Sequence, residues 1–469
     1  MAENRLKYIK GDVTMFSGKK PIINTRIACY VGIFLLLIVV CMVILYYRNA
    51  PSVEFGPDTY GYLGAVQQLQ TTGNPVNYFR LPGYPLFLLG VYILTHQGDL
   101  MAASMLQGFL FLCSVVEIAL LAFLITRRTW IAFFIGIFMG TNIFLLYSAK
   151  IIMTEGLALW LLITVMLSAI AFLKTLRIRY FWIGAVSLLL LLFTRPEWVF
   201  FPAILFPILI LFTWKKLPVR AVLLPVISSL VVIYLLVGGY IYANARINHI
   251  ASLSYVTNMN LIGKVLQYRM QDESPYNSYL SHTYDSYLKQ GIDSPFQITS
   301  RVQGLGDNYA QTSADWAKGI ILHHPVEFLV KSVPYLFTTL YSYAPSSIPH
   351  IQGKYAGIFN LLLQIHIHLA LMNILFPLCA LIWLVLCCSR KTRHVFGVQA
   401  MGLLSLTIIY AMLITTLGSY ADGEYARIHV VFDPLLSLVI LGSLGLGIYQ
   451  LQSFLRNRAP RLGFHIKSV

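Results

Sequence analysis

Single Asp and Glu residues lie beside long apolar segments. An ionised carboxylate at such a place could act as a base and take a proton from a hydroxyl group. Asp58 lies in PDTYGYLGAVQQLQTTG, soon after an apolar run, with Tyr60 and Tyr62 beside it. A partly desolvated carboxylate at a membrane surface is expected to have a raised pKa and can act as a general base. Asp58 could also cap a short helix that runs to Gln70. The sequence leaves both roles open.

A second acid and an acid–base pair stand at other boundaries of apolar runs. Glu155, in KIIMTEGLALWLL, is at the predicted start of an apolar helix, where the helix dipole favours an acid. Acids at a membrane boundary are also candidates for function. Glu197 follows Arg195 in LLFTRPEWVFFP, and the two could form an ion pair that closes a turn. Alternatively, Arg195 could face a cavity that holds an anion.

Cationic side chains that could hold a phosphate lie near the same boundaries. A guanidinium is planar and permanently charged, and its fork matches phosphate oxygens. Arg427 and His429, in DGEYARIHVVFDPLLSL, could together grip a phosphate. Arg427 could equally snorkel at a membrane interface, and Arg80 in NYFRLPGYP admits the same two interpretations. The candidate phosphate-binding residues are Arg80, Lys150, Arg195, Arg427 and His429.

The histidines and cysteines do not predict a metal site. His366 and His368 are two residues apart on a predicted helix and therefore point to different faces. The adjacent His323 and His324 are likewise not expected to bind a metal. The six cysteines lie in apolar runs or at their ends, so we expect no disulfide and no zinc site. The sequence contains no P-loop, G-x-S-x-G or H-E-x-x-H motif, and we expect no cofactor and no metal.

The elements that must position these residues are apolar helices. Hydrophobic residues make up 58% of the chain and charged residues 11%, whereas a soluble domain carries about 25% charged residues. The apolar runs are continuous, which argues against the alternating pattern of a membrane β-barrel. Because runs of about 20 apolar residues can cross a bilayer, the sequence predicts an all-α polytopic membrane protein with about 10–12 transmembrane helices and external interfacial helices.

Ten apolar runs are predicted to span a membrane. They are 27–47, 100–126, 130–148, 157–173, 180–194, 198–213, 221–243, 366–388, 397–418 and 430–450. Two further apolar stretches are predicted not to span. The stretch 84–96 is short, and we expect a re-entrant segment or a short helix that does not change sides. The stretch 326–345 fits an amphipathic helix lying in the interface.

The basic residues set the predicted topology. With ten spans, every basic cluster between them falls on the side of both termini, and the positive-inside rule makes that side cytoplasmic. Of 18 acids, only Glu3 and Asp12 fall on that side. The net charge of +16 therefore predicts membrane orientation rather than nucleic-acid binding. The predicted regions are 1–243 with an external loop at 48–99, a large external region at 244–365, and the helices of 366–469. The first 26 residues do not predict a cleavable signal peptide.

The order of these features resembles the membrane-embedded GT-C glycosyltransferases that use polyprenyl-phosphate sugars, namely the protein O-mannosyltransferase and lipid A aminoarabinose transferase relatives. An acid in the first external loop is followed here by FRLPGYPLFLLG. The later motifs are TEGLALWLLI, TRPE, HHPVEFLVKSV and EYARIHVVFDPLL. The last motif has Arg427-Ile428-His429 where Arg-Tyr is usual. Asp58 also has no second acid beside it, unlike the Asp-Glu pair of the protein mannosyltransferases, which disfavours a protein acceptor.

The resemblance implies an inverting glycosyltransferase of the bacterial inner membrane, with its active site on the periplasmic face. Asp58 would deprotonate the acceptor hydroxyl, and a cation would offset the charge of the departing polyprenyl phosphate. The implied acceptor is a glycan or a lipid-linked molecule, as in O-antigen modification of lipopolysaccharide or cell-wall synthesis. Further acids or sugar contacts would come from Glu155, Glu197, Tyr60 and Tyr62.

Two alternatives stay open at this stage. An O-antigen polymerase or ligase also binds polyprenyl phosphates outside the membrane, but usually relies on arginines in a large late loop. A transporter or flippase of lipid-linked glycans would place charges or helix breaks at mid-membrane, where only Glu117 stands.

Overall fold

The structure is a computed structural model that describes residues 25–273, 278–295, 297–298, 309–341, 351–420 and 422–458. Most of the N-terminal basic cluster and the C-terminal Arg461 and Lys467 lie outside these ranges. Within them the chain is helical and contains no strand. The α-helices are α1 Thr25–Asn49, α2 Thr59–Thr72, α3 Gly83–Leu94, α4 Leu100–Thr126, α5 Thr129–Gly140, α6 Ile143–Lys150, α7 Glu155–Thr175, α8 Ile178–Thr194, α9 Phe201–Thr213, α10 Val219–Asn248, α11 Tyr255–Gln267, α12 Ser278–Lys289, α13 Tyr309–His323, α14 Pro325–Tyr341, α15 Ala356–Leu369, α16 Phe376–Cys388, α17 Phe396–Gly418 and α18 Asp422–Arg458.

The described helices form a multi-pass bundle. Eight helical segments are long and apolar enough to cross a membrane, and a ninth results if α5 and α6 are counted as one bent span. The helix α8 is apolar but only 17 residues long. It returns along α7 to the end where α7 began, because Arg195 after α8 reaches Glu155 at the start of α7. The ten predicted runs thus all correspond to helices of this bundle.

One predicted span is broken. The run 130–148 forms α5 and α6, which meet at an angle of 55°. The cause is local: the side chain of Asn142 accepts hydrogen bonds from the backbone of Phe144 and Leu145 and so starts a new helix. The same amide donates to Asp433 on α18 at 3.2 Å, which fixes the break against the neighbouring helix.

The two ends of the bundle differ in charge and in loops. At one end, which we call the basic end, Arg128 stacks on the Tyr449 ring at 3.7 Å and Lys174 lies 5.6 Å from the Phe396 ring. The opposite end, which we call the loop end, carries the connection 50–99 and the described residues of the connection 249–355. Among the described residues, the basic clusters that contain Arg128 and Lys174 therefore share one end of the bundle.

The short apolar helix α3 stays at the loop end. Its 12 residues span about 18 Å, well short of the roughly 30 Å of a bilayer core. Arg80, just before α3, contacts Asp58, and Ser104, near the start of α4, donates to the carbonyl of Lys150 at 2.8 Å. The chain therefore enters and leaves α3 at the loop end, as expected for a short helix that does not change sides.

The described residues between 249 and 341 form a second, smaller core at the loop end. Met259 and Ile262 of α11 are buried in it together with Leu280 of α12 and Trp316 of α13. The helix α14 closes this core with Phe328 and also packs on α17. The other face of α14 exposes an apolar stripe made of Val326, Val330, Val333 and Phe337. That stripe fits the predicted interfacial helix; residues 342–345 of the prediction lie outside the described residues.

Candidate functional site

The loop between α1 and α2 is bound to the break between α6 and α7. The Thr59 hydroxyl donates to the Ile152 carbonyl at 2.9 Å and accepts from the Gly56 amide at 2.8 Å. The Ile152 amide donates in turn to the Glu54 carbonyl at 3.2 Å. Asp58 occupies the N-cap position of α2, but its side chain makes no capping hydrogen bond. The capping role proposed from the sequence is therefore not observed.

Asp58 instead belongs to a continuous chain of ion pairs. Its two carboxylate oxygens contact Arg80 at 2.6 Å and Arg427 at 2.8 Å. Arg427 also donates from Nε to Glu155 at 2.7 Å. Glu155 lies 3.5 Å from Arg195, which donates from Nε to Glu197. We call this set the ion-pair chain; its members in order are Arg80, Asp58, Arg427, Glu155, Arg195 and Glu197.

The ion-pair chain is most buried at Glu155 and most exposed at Asp58. The Glu155 side chain is 3% exposed and the Asp58 side chain 24%. Three guanidinium groups face three carboxylates, so the formal charges cancel, as buried charges require. Within the ion-pair chain, three buried polar atoms have no hydrogen-bond partner among the described residues. They are Arg80 Nε, Glu155 Oε2 and Arg195 Nη1. Such atoms usually meet water or a ligand.

The pKa of Asp58 moves opposite to the sequence-based expectation. Burial raises the pKa of this carboxyl, but Arg427 and Arg80 lower it by more, and the pKa lies below its ordinary value. The prediction of a raised pKa was wrong because it considered desolvation without the two arginines. Asp58 is therefore ionised at neutral pH and able to accept a hydrogen bond from a hydroxyl.

Tyr62 packs against the Arg80 end of the ion-pair chain. The guanidinium of Arg80 lies 4.7 Å over the Tyr62 ring, and the ring itself is buried. The edge of Tyr62 packs on Tyr84, whose hydroxyl donates to Gln107 at 2.7 Å. Gln107 donates on to the Ile151 carbonyl at 2.9 Å. Tyr62 therefore positions Arg80 and has no exposed face for a sugar.

Tyr60 lies on the opposite face of the same helix. Its side chain is 73% exposed, and its ring stacks on the exposed Phe55 with centroids 5.7 Å apart. Of the two tyrosines predicted as sugar contacts, only Tyr60 has an exposed ring.

Two predicted phosphate-binding residues lie outside the ion-pair chain. Lys150 is buried and pairs with Glu54 at 2.7 Å. His429 is fully buried, with Nδ1 2.8 Å from the Thr339 carbonyl and Nε2 3.2 Å from Asp433. Since His429 is two residues beyond Arg427 on α18, the two side chains leave the helix on different faces. The fold therefore does not bring Arg427 and His429 together as the predicted joint phosphate site.

A buried lysine near the site was not found by the sequence reasoning. Lys264 on α11 is fully buried and donates to Gln267 at 3.0 Å. Its Nζ lies 4.8 Å from the Tyr425 ring and 5.4 Å from the Tyr335 ring. Tyr425 is two residues before Arg427, so Lys264 ties the second core to the first turns of α18. Nothing in its sequence surroundings separates it from an ordinary surface lysine.

Comparisons with known proteins add little to this geometry. No protein-family model matches the sequence, and no curated protein matches it. Among solved structures, the chain is similar to the Archaeoglobus fulgidus oligosaccharyltransferase tethered to an acceptor peptide that contains the NVT sequon, with 12% identity and a TM-score of 0.44. That similarity covers 95% of this chain and 52% of the other, so this chain spans about half the length of that structure.

Proposed function

We propose that this protein is a glycosyltransferase that moves a sugar from a polyprenyl-phosphate donor to a hydroxyl of a glycan or lipid-linked acceptor at the loop end. The observation that carries the proposal is the position of Asp58. Its ionised carboxylate is partly exposed at the start of α2, two residues before the exposed Tyr60, and two arginines hold it. The order of sequence motifs that resemble GT-C enzymes supports the same assignment, with the basic end in the cytoplasm.

The proposed step balances as an inverting displacement. Asp58 takes the proton of the acceptor hydroxyl, and the acceptor oxygen attacks the anomeric carbon from the face opposite the phosphate. The bond between that carbon and the phosphate oxygen breaks, and polyprenyl phosphate leaves with the electron pair. Arg427 and Arg80 are the cations closest to Asp58 and would stabilise the charge that develops on the leaving group.

The neutral ion-pair chain suggests how the donor prepares the base. All three arginines of the ion-pair chain are already paired with carboxylates. A donor phosphate would therefore compete with Asp58 for Arg427 and Arg80. When the arginines turn to the phosphate, they release Asp58 and its pKa rises. The base would then become stronger only when the donor is bound.

A transporter is less well supported than an enzyme. Glu117, the mid-span acid, accepts hydrogen bonds from Trp160 at 3.2 Å and Thr164 at 2.8 Å, both on the neighbouring α7. These bonds satisfy the Glu117 carboxylate within the bundle, so nothing at this position indicates a charged group that moves during transport.

The test is transfer activity of the purified full-length protein with a panel of polyprenyl-phosphate sugars and glycan acceptors, measured as release of polyprenyl phosphate. Asp58→Asn should lower turnover by about 10²–10⁴-fold, because asparagine cannot take the proton. The matched control is Asp99→Asn. Asp99 caps α4 at the same end of the bundle through a bond from Ala102, and asparagine caps equally well.

Two outcomes would count against the proposal. Full activity of Asp58→Asn would remove Asp58 from the role of base. Failure of the wild type to consume any donor in the panel would argue against glycosyl transfer itself.

A further inference from the structure

A histidine and two glutamates from separate segments converge at the loop end. A ring nitrogen of His324 and one carboxylate oxygen from each of Glu273 and Glu327 lie within 4.8 Å of one another. Glu273 closes the turn that follows α11, whereas His324 and Glu327 flank the start of α14, and His324 is 51 residues from Glu273 in sequence. None of the three belongs to the ion-pair chain.

The charges of this group are incompletely matched. Glu327 pairs with Lys331 at 2.6 Å on the next turn of α14. Among the described residues, none forms a hydrogen bond or an ion pair with the Glu273 carboxylate. Two carboxylates therefore approach each other, and only one of them is paired with a lysine; like charges at this distance repel. A bound cation would reverse that repulsion.

The imidazole of His324 is held as metal-binding histidines are. Its Nε2 lies 3.0 Å from the carbonyl oxygen of Glu273. If Nε2–H donates to that carbonyl, the lone pair is on Nδ1, and the ring orientation is fixed. Histidines that bind metals usually donate their second ring nitrogen to a carbonyl or carboxylate in this way.

We propose that His324, Glu273 and Glu327 form a structural site for a divalent cation of the Zn²⁺ class. One nitrogen and two carboxylate oxygens suit Zn²⁺, whereas Mg²⁺ and Ca²⁺ prefer oxygen ligands alone. Tetrahedral Zn²⁺ with ligands at about 2.0–2.1 Å needs donor atoms about 3.4 Å apart, so the glutamate side chains would rotate to bring their oxygens from within 4.8 Å to that spacing. Water would complete the coordination.

The cation would hold together the two helices that enclose Lys264. The turn that ends at Glu273 follows α11, which carries Lys264, and α14 carries Tyr335. A bond from one segment to the other therefore braces α14 against the end of α11 around Lys264. The proposal does not depend on glycosyl transfer, because it concerns binding and stability at residues outside the ion-pair chain.

The experiment measures binding of Zn²⁺ to the chelator-treated, full-length protein in detergent, together with thermal unfolding. We expect one saturable site per chain and a higher unfolding temperature with Zn²⁺, and little effect of Mg²⁺ at the same concentration. His324→Ala should weaken Zn²⁺ affinity at least tenfold and abolish the thermal shift. The matched control is the neighbouring His323→Ala, which should behave like the wild type.

Glu273→Gln tests the site from the other segment and should also weaken affinity at least tenfold. Without metal its unfolding temperature should equal that of the wild type, which separates loss of binding from loss of fold. Equal Zn²⁺ affinity in His324→Ala and His323→Ala would overturn the proposal, since binding would then occur elsewhere, as at a cysteine. Absence of a saturable site in the wild type would overturn it as well.

Discussion

Arg427 joins the two parts of the ion-pair chain. One of its nitrogens contacts Asp58 in the first loop and another contacts Glu155, which is 272 residues away in sequence. Only a fork of several donors can serve two carboxylates in this way, so a lysine would not replace it. The sequence identified each of these residues as a candidate from its place beside an apolar run. It could not pair them, because their contacts depend on how distant helices pack.

The pairing also decides the pKa of Asp58, which the sequence alone misjudged. In Arg427→Gln, Asp58 loses the cation that contributes most to lowering its pKa, and that pKa should rise. The acid side of the pH profile of kcat/KM, which reports the free enzyme, should then move to higher pH. Measurement of transfer rates between pH 4 and 8 would show the shift.

The sign for stability follows from the same pairing. A carboxyl whose pKa is lowered on folding contributes stability above its unfolded pKa, and this contribution is lost as pH falls through the folded pKa. The wild type should therefore keep this contribution at neutral pH and lose it only below the ordinary aspartate value of 3.8.

The control for the pH profile of Arg427→Gln is Arg393→Gln, at the exposed basic end. Coincident pH profiles for both variants would contradict the role given to Arg427.

At the scale of elements, apolar runs and charges predicted the helices well, and the departures have local causes. The run 130–148 is apolar throughout its length, so hydropathy alone could not show that Asn142 divides it into α5 and α6. The helix α15 begins at Ala356, ten residues before the predicted start of its span at 366. Its first turns pack beside the end of α1, where the Phe359 ring meets the Tyr46 ring. Boundaries of this kind depend on packing partners rather than on the run itself.

The approach of α3 to α8 gives an element-scale prediction. A Cβ on Gly83, at the start of α3, would lie 2.6 Å from the Phe193 carbonyl oxygen near the end of α8. Because that oxygen is backbone, it cannot yield cheaply, and the two helices would have to separate just before Arg195. Gly83→Ala should therefore destabilise the protein by about 1–3 kcal/mol, the usual cost of overpacking. Thermal unfolding of the detergent-solubilised protein measures this change.

The same helix supplies the control. A Cβ on Gly90 would meet nothing within 4 Å, and alanine favours a helix over glycine by about 0.8–1.0 kcal/mol. Gly90→Ala should therefore leave the unfolding temperature unchanged or raise it. If both alanine variants unfolded alike, the close contact between α3 and α8 would not be the cause.

At the scale of the whole molecule, separation of charge between the two ends was visible in the sequence, but the assembly of the site was not. The count of ten spans placed the basic clusters on one side, and in the fold Arg128 and Lys174 do share an end. The ion-pair chain collects residues from the first loop, α7, the turn after α8, and α18. That convergence depends on the return of α8 along α7, which charge patterns do not encode.

The orientation of the bundle in the membrane can be tested by labelling. By the positive-inside rule we expect the basic end in the cytoplasm and the ion-pair chain outside. In a background without the native cysteines, His96→Cys at the loop end should react with a membrane-impermeant maleimide in intact cells. Lys391→Cys, which is exposed at the basic end, should react only after the cells are permeabilised. The reverse pattern would invert the proposed orientation and place the ion-pair chain in the cytoplasm. Labelling of both positions in intact cells would contradict the assignment of His96 and Lys391 to opposite ends.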